Sequence, residues 1–247
     1  LFFKPELTQE EQIFVKSPEV DAQRCNGCRK CMDFCKFNAI ACIQDKAVVF
    51  PDVCHPCGGC ILVCPEKAIQ ESKRPIGKIV QGHSENVQVI SGMLNMGEES
   101  GVPIIRTMLW HMTEHPHPFT LIDCPPGSAC VVMESILDAD YCILVAEPTV
   151  FGVHNLNMVY ELVQIFNKPY GVVLNKCLDG ENPAEQFCLE HQIPILGRIP
   201  FDSELGRLNS DSHIVSRIHP AYKELFTEIL QKVKEAVSHE TAVDSQR

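Results

Sequence analysis

The second half of the chain alternates short apolar runs with longer amphipathic ones. The apolar runs are rich in Ile, Val and Leu and resemble strands buried on both faces; they cover residues 119–124, 141–148, 170–176 and 193–200. Between them, residues 151–167 and 183–191 have helical length and polarity. Alternating strands and helices indicate βαβ units. The pattern therefore predicts the α/β fold class, with a mostly parallel sheet and helices on both faces.

The last amphipathic segment, residues 221–237, predicts a helix packed on this sheet. Its apolar side chains recur every four residues, at Leu225, Ile229, Val233 and Val237. Such a stripe is typical of a helix that buries one face. A membrane-targeting helix is the alternative, but the polar residues 238–247 lack the basic and aromatic face that it needs.

Cysteine is the most unusual component, with 14 of 247 residues. Eight of them repeat the spacing C-x2-C-x2-C-x3-C twice: Cys25, Cys28, Cys31, Cys35, then Cys54, Cys57, Cys60, Cys64. Cysteines at steps of three wrap a turn around one iron–sulfur cube, and in two-cluster ferredoxins the last cysteine of each run ligates the other cluster. The spacing predicts two [4Fe–4S] clusters, one held by Cys25, Cys28, Cys31 and Cys64, the other by Cys54, Cys57, Cys60 and Cys35.

Two other interpretations of these cysteines are weaker. A disulfide framework is typical of secreted chains, and this chain has no recognisable signal peptide. Zinc sites favour paired C-x2-C knuckles rather than triplets. The similar stretches "CKFNAI" and "CPEKAI" after the two runs support an internal repeat, and residues 46–50 predict a strand that leads into the second run. The six remaining cysteines are interpreted as small buried hydrophobes.

Charge and hydropathy narrow the class of protein. The net charge of −11 argues against a general nucleic-acid binder, which needs a basic face. No apolar run approaches the ~20 residues of a membrane span. We therefore expect a cytoplasmic protein without membrane insertion and without a nucleic-acid partner.

Three polar groups follow the predicted strands, where parallel sheets bind ligands. They are Asp123 with its Pro-Pro-Gly turn, the "EPT" of residues 147–149 and the "NK" of residues 175–176. The spacing Gly92–Gly97 imitates a phosphate-binding loop, but Glu98 and Glu99 stand where that loop needs Lys and Ser or Thr. Two carboxylates repel phosphate, so this segment is rejected as a phosphate site.

Together, these motifs resemble the MinD/ParA/Mrp-type P-loop ATPases, relatives of the nitrogenase iron protein, with an inserted two-cluster ferredoxin. The resemblance extends over nearly the whole chain, including "LFFKPEL", "DCPPGSAC", "AEPTVFGVHNL", "VVLNK" and "GRIPFD". It implies a P-loop NTPase-like domain of the SIMIBI type, formed by residues 1–18 and 75–247, and an α+β ferredoxin domain at 19–74. In this family a strand and a Walker A loop come first, and the given sequence begins after them. We therefore expect ATP and Mg²⁺ to bind only with that segment, and no hydrolysis by the given chain alone.

The resemblance also implies roles for four residues. Asp123 is similar to the Walker B carboxylate that orients Mg²⁺, and Gly127 to the switch II glycine that senses a γ-phosphate. Asn175 resembles the asparagine that contacts adenine, with the backbone around Pro200 completing the base pocket. The alternatives are a helix N-cap for Asp123 and an ordinary strand-end turn for Asn175. Cys130 stands where the nitrogenase iron protein has a cluster-bridging cysteine, but the second cysteine of that bridge has no counterpart here.

Two functions of different classes follow from this resemblance. The first is electron transfer through two [4Fe–4S] clusters, coupled to an ATP-binding switch, with a redox partner protein and homodimerisation through the ATPase domain. The alternative is an ATP-dependent iron–sulfur cluster carrier or assembly factor. A ferredoxin whose ATPase half serves only as a scaffold is a third interpretation.

Overall fold

The cysteine runs and the apolar runs lie in two different parts of the structure. The computed structural model describes residues 2–244 and divides into two units. Pro5–His117 form the first, here called the cysteine-rich unit, and Pro118 onward, with the residues up to Lys4, form the second, the parallel-sheet unit. Leu1 and residues 245–247, which the predicted domain ranges include, lie outside the described residues.

The cysteine-rich unit is built on antiparallel strands. In chain order its elements are β1 (Glu6–Val20), α1 (Lys30–Phe34), β2 (Ile40–Ile43), β3 (Lys46–Val49), a 3₁₀ turn (Pro51–Val53), α2 (Gly59–Val63), β4 (Ile69–Ser84), β5 (Val87–Leu94) and α3 (Val102–Glu114). Strands β1, β4 and β5 form one sheet with β4 in the middle, and β2 pairs with β3 in a hairpin. The predicted strand at residues 46–50 is confirmed as β3.

The two cysteine runs occupy equivalent halves of this unit. Helix α1 begins at residue 30 and α2 at residue 59, so the offset between the halves is 29 residues. The same offset relates the pair Val20–Ile69 between β1 and β4 to the pair Val49–Ile40 of the hairpin. It also relates two backbone hydrogen bonds, Asp21 N–H to Ala68 O at 2.7 Å and Phe50 N–H to Ala39 O at 2.8 Å. The halves therefore face each other about an approximate two-fold axis.

The β1–β4 ladder does not stop at the ends of this repeat. It continues from Val20–Ile69 to Glu6–His83, across the predicted domain boundaries at 18/19 and 74/75. Beyond the repeat, Ile13, Ile76 and Ile79 are buried against Ile104 of α3. One continuous ladder thus ties residues on both sides of the predicted boundaries into one unit, whereas the division at 19–74 stays a prediction.

The parallel-sheet unit follows the predicted alternation. In chain order its elements are α4 (Cys130–Ile136), β6 (Cys142–Ala146), α5 (Val150–Ile165), β7 (Tyr170–Cys177), α6 (Pro183–Glu190), β8 (Ile195–Pro200), α7 (Ser203–Ser210), α8 (Val215–Ile218) and α9 (Pro220–Asp244). Strands β6, β7 and β8 form a parallel sheet with β7 in the middle. The α/β class, the parallel sheet and the predicted helices are confirmed.

Alternate residues of β7 pack on opposite faces of the sheet. Val172 and Leu174 belong to a core shared with α4, α5 and α6. Val173 lies in a second core with Ile229 and Val233 of α9. Both faces are therefore covered, which explains the continuous apolar run of β7. The apolar stripe of α9 is core packing, as predicted.

The predicted strand at residues 119–124 is wrong. In the described part of the chain these residues have no ladder partner and form no strand. Leu121 is 82% exposed, whereas Cys124 packs partly against the core. An apolar run becomes a strand only when a neighbour accepts and donates its backbone hydrogen bonds, and composition alone does not reveal that neighbour.

A bilayer span requires a helix that is both long and apolar. Among residues 2–244, no helix combines that length with that apolar character. This agrees with the absence of a long apolar run in the sequence.

Leu174→Ala tests the importance of the central strand. Leu174 is fully buried, so the variant should lose about 2–5 kcal/mol of unfolding free energy through lost burial and a cavity. Leu178→Ala makes the same change at a side chain that is 65% exposed, where we expect a change within about 0.5 kcal/mol. Urea unfolding followed by circular dichroism measures both, and equal losses would contradict the assignment of β7 as the core strand.

Candidate functional site

Four cysteines from both halves of the cysteine-rich unit line one cavity. They are Cys25, Cys28, Cys31 and Cys64, here called the first site. Burial raises the pKa of the Cys31 thiol, and the charges of Cys25 and Cys64 add to this effect. The structure therefore brings Cys64 to the three cysteines of the other run, as the ferredoxin rule predicts.

The reciprocal group, called the second site, consists of Cys54, Cys57, Cys60 and Cys35. Burial, followed by the charges of Cys35 and Cys57, raises the pKa of Cys54. Burial, with the charges of Cys54 and Cys57, raises the pKa of Cys60 to about 11. The charge of Cys35 acts on Cys54, so Cys35 lies near the second run, where the predicted exchange requires it.

Raised pKa values have a chemical consequence for both sites. The thiolate, not the thiol, is the metal ligand, and crowded, partly buried thiols resist losing their protons. A bound cation removes this resistance, because its charge stabilises the thiolates. Metal loading at these sites would therefore release protons and favour the folded arrangement.

The turns that carry the cysteines depend on left-handed backbone. Arg29 and Gly58, which precede α1 and α2, have φ of 63° and 71°. Gly27 has φ of 72°, and a Cβ there would collide with the carbonyl oxygen of Asp45. A Cβ on Gly59 would likewise meet the ring of Phe34. The glycines at 27 and 59 thus allow the two halves to approach closely around the cysteines.

Backbone N–H groups point at two sulfur atoms of the first site. The N–H of Ala47 donates to Cys25 Sγ at 3.4 Å, and that of Ala68 donates to Cys64 Sγ at 3.3 Å. Hydrogen bonds of this kind stabilise negative charge on a ligating sulfur and tune the metal that it holds.

The donor set fits an iron–sulfur cluster. All 14 cysteines are free thiols rather than disulfides. In the described residues, no three His, Cys, Asp or Glu side chains converge as ligands of a single metal ion. Four thiols placed around a shared cavity suit instead a group several atoms wide, and thiolates are the ligands that [4Fe–4S] clusters use.

One cysteine near the first site was missed from the sequence. Cys42, interpreted as a buried hydrophobe, lines the same cavity, and its Sγ lies 4.0 Å from the carbonyl oxygen of Gly27. The repeat gave no signal for it, because Glu71 occupies the equivalent position of the other half.

Asp123 and Gly127 lie on an exposed loop of the parallel-sheet unit. Gly127 has φ of 94°, which favours glycine, and no atom lies within 4 Å of a Cβ built there. The alternative role of Asp123 as a helix N-cap is wrong, because Ala129 precedes α4. Cys130 is exposed at the start of α4, so its thiol is accessible from outside the unit.

Asn175 and Pro200 come together at the carboxyl edge of the sheet. Asn175 stands two residues before the end of β7, Pro200 ends the neighbouring strand β8, and Cys177 pairs with Pro200. Asn175 Oδ1 accepts a hydrogen bond from the Lys176 N–H at 3.0 Å, and Asn175 itself lies within β7 rather than in a turn after it. Lys176 Nζ lies 2.6 Å from Glu147 Oε1, which connects the ends of β6 and β7. This edge is where open α/β sheets bind ligands.

Comparison with known proteins supports the metal site. A family profile described as "4Fe-4S binding domain" matches residues 17–40, which include the whole first cysteine run. A shorter match is to a component of the ion-translocating oxidoreductase complex of Methanosarcina acetivorans. The two sequences are 39% identical over 46 residues, 19% of this chain and 17% of the relative.

Longer matches are found in Methanocaldococcus jannaschii. The uncharacterized protein MJ0578 is 30% identical over 213 residues, which cover 86% of this chain and 73% of the relative. The uncharacterized protein MJ0579 is 27% identical over 165 residues, 67% of this chain and 59% of the relative. The chain therefore spans about three fifths to three quarters of these relatives.

The fold has a counterpart among solved structures. The cell division ATPase MinD of Pyrococcus furiosus superposes with a TM-score of 0.52 at 20% identity, covering 64% of this chain and 69% of that one. At this identity the likeness concerns the fold alone. The chain thus belongs to the family of MJ0578, has the MinD-type P-loop ATPase fold and carries a 4Fe–4S binding domain.

Proposed function

We propose that this protein binds two [4Fe–4S] clusters and transfers single electrons, under the control of an ATP-binding switch. The observation that carries the proposal is the reciprocal exchange of Cys64 and Cys35 between two equivalent cysteine turns. A single cluster needs only one such set, whereas the fold repeats the whole arrangement 29 residues later.

When bound, a [4Fe–4S] cluster supplies reversible one-electron chemistry. The chain's own residues hold it and control its surroundings. Cys31 and Cys60 are buried, at 7% and 8% exposure, whereas Cys28 and Cys57 reach the surface. Each site therefore has an inner, water-poor side and an outer side at which an electron can arrive from a partner protein.

Burial of the inner cysteines favours resident clusters over a cluster carrier. A carrier releases its cluster by exchanging thiolate ligands with the acceptor, which exposed cysteines allow more readily than buried ones. Here Cys31 and Cys60 lie on the short helices α1 and α2, inside the apolar core that joins the two halves. Transfer of a cluster to an apo-ferredoxin during nucleotide turnover would favour the carrier instead.

The nucleotide half of the proposal rests on the MinD-type fold and on the loops at the sheet edge. In the proposed arrangement Asp123 orients Mg²⁺ and Gly127 donates its N–H to a γ-phosphate. Asn175 and the backbone near Pro200 contact adenine. We further propose a homodimer formed through this half and an electron-transfer partner for the cysteine-rich unit. Such a switch changes cluster potentials when it alters solvent access or hydrogen bonds to sulfur.

Single cysteine substitutions test the cluster count. After reconstitution the protein should contain about eight iron atoms per chain, and Cys28→Ala or Cys57→Ala should each retain about four. Both side chains are exposed, so these changes spare the core. Cys130→Ala is the matched control at another exposed cysteine and should keep the full content. Colorimetric iron analysis measures all four proteins, and full iron content in Cys28→Ala or Cys57→Ala would refute the assigned ligands.

Double substitutions test the exchange of the fourth cysteine. Cys28→Ala with Cys64→Ala removes two ligands of one site, so about four iron atoms should remain. Cys28→Ala with Cys35→Ala damages both sites and should leave almost no iron. Each double variant removes the same number of thiols, and each serves as the control for the other. The reverse outcome would show that each run completes its own cluster.

Asp123→Asn tests the nucleotide switch in a protein that includes the Walker A segment expected from the resemblance. Loss of the carboxylate should weaken Mg²⁺-dependent ATP binding by about tenfold or more, ~1.4 kcal/mol, without changing the iron content. Asp138→Asn, at another exposed carboxylate of the same unit, should bind ATP like the wild type. Isothermal titration calorimetry gives the affinities, and equal affinities for all three proteins would exclude Asp123 as the Mg²⁺ residue.

A further inference from the structure

The approximate two-fold symmetry of the cysteine-rich unit makes the two sites directly comparable. Residues 29 positions apart occupy equivalent places, so Cys25 corresponds to Cys54 and Ala47 to Pro18. The ladders agree with this relation, since Ala47 pairs with Cys42 and Pro18 pairs with Glu71. Differences between the sites come from positions at which the two halves carry different residues, and from residues outside the repeat.

The first difference is a missing hydrogen-bond donor. The N–H of Ala47 donates to Cys25 Sγ at 3.4 Å. At the equivalent position beside Cys54, Pro18 has no N–H to donate. The first site therefore has a backbone donor to its leading cysteine that the second site lacks.

The second difference is charge. Residues 21–36, around the first run, contain four basic and two acidic side chains. The equivalent residues 50–65 contain no Lys or Arg and one acidic side chain, Asp52. In addition, Lys46 Nζ donates to the carbonyl oxygen of Cys25, whereas Ser17 stands at the equivalent position. Glu66 adds one carboxylate beside the first site. With Lys46 and Glu66 both counted, the charge around the first run is still net positive, whereas around the second run it is −1.

The positive charge of Arg74, which acts on the second site, is largely compensated by neighbouring carboxylates. Arg74 is the basic side chain whose charge reaches this site, and the carboxylate of Glu99 acts on it in the opposite sense. The guanidinium of Arg74 is paired with the carboxylate of Glu98. An ion pair has little net field at a distance, so Arg74 does not reverse the difference between the sites.

We propose that the first site holds its cluster at the higher reduction potential, so that an electron entering the protein comes to rest there. This inference depends on the two-cluster function proposed above. In the step, a low-potential one-electron donor loses one electron and the first site gains it, and no covalent bond or proton is exchanged. Reduction adds one negative charge, which hydrogen bonds to sulfur and nearby positive charge stabilise. Ala47 and Pro18 act through the cysteines and are therefore positioning residues.

Exchange of the two positioning residues tests the proposal. Ala47→Pro removes the donor from the first site, and Pro18→Ala supplies one to the second. The N–H of Ala47 points at Cys25 rather than at β2, and the other half already has proline at this position, so the strand should accept the change. Iron content and circular dichroism establish that every variant is loaded and folded before the potentials are measured.

Redox titration with dithionite, followed by electron paramagnetic resonance, gives the two midpoint potentials. The wild type should show two separate one-electron steps. Ala47→Pro should lower the upper step and Pro18→Ala should raise the lower step, each by about tenfold in the one-electron equilibrium, about 59 mV. The double variant should narrow the gap further than either single change. General loosening of the fold cannot produce these opposite shifts.

Other outcomes distinguish a failure of the two-cluster function from a failure of the assigned order of potentials. If the wild type binds fewer than about eight iron atoms, the two-cluster function itself fails. If both clusters bind but Ala47→Pro leaves the upper step in place or lowers the lower one, the higher potential does not belong to the first site. A single unresolved step in the fully loaded wild type would also overturn the inference.

Discussion

Reciprocal placement of the fourth cysteine is the constraint on which the cysteine-rich unit depends. Cys64 must reach the turn of the first run, and Cys35 must reach that of the second. This is possible only if the two halves face each other, which the pairings Val20–Ile69 and Ile40–Val49 enforce. The same requirement, that the two halves face each other, therefore explains both the strand pairing and the arrangement of the two sites.

Sequence predicted well those features that depend on spacing or on local apolar pattern. The cysteine runs indicated the four thiols that line the first site, and the apolar runs located β6, β7 and β8. The long strand β1 was not predicted, because Glu6–Val20 is mostly polar and exposed and its stability comes from pairing with β4. The prediction of a strand at residues 119–124 failed for the opposite reason, since an apolar run alone does not supply a partner strand.

At the site, the sequence indicated the candidate ligands better than it indicated the groups that surround them. The cysteine spacing is set by the geometry of the cube, so it can be recognised without a structure. The donor at Ala47 is a backbone group 22 residues from Cys25, so its contact with that sulfur depends on how the hairpin β2–β3 folds. Cys42 approaches the first site only because the hairpin β2–β3 folds over the first turn. Such features follow from tertiary structure and have no local signature.

The pseudo-two-fold arrangement has a consequence for how such a unit can arise. Taken alone, one half offers three thiols to one site and the fourth thiol to the other. Two identical copies of a half, related by a true two-fold axis, contain every ligand that both sites require. The cysteine-rich unit has the arrangement of such a dimer with both halves in one chain. Joining removes the requirement that both copies be identical, and only then can one half carry Pro18 where the other carries Ala47.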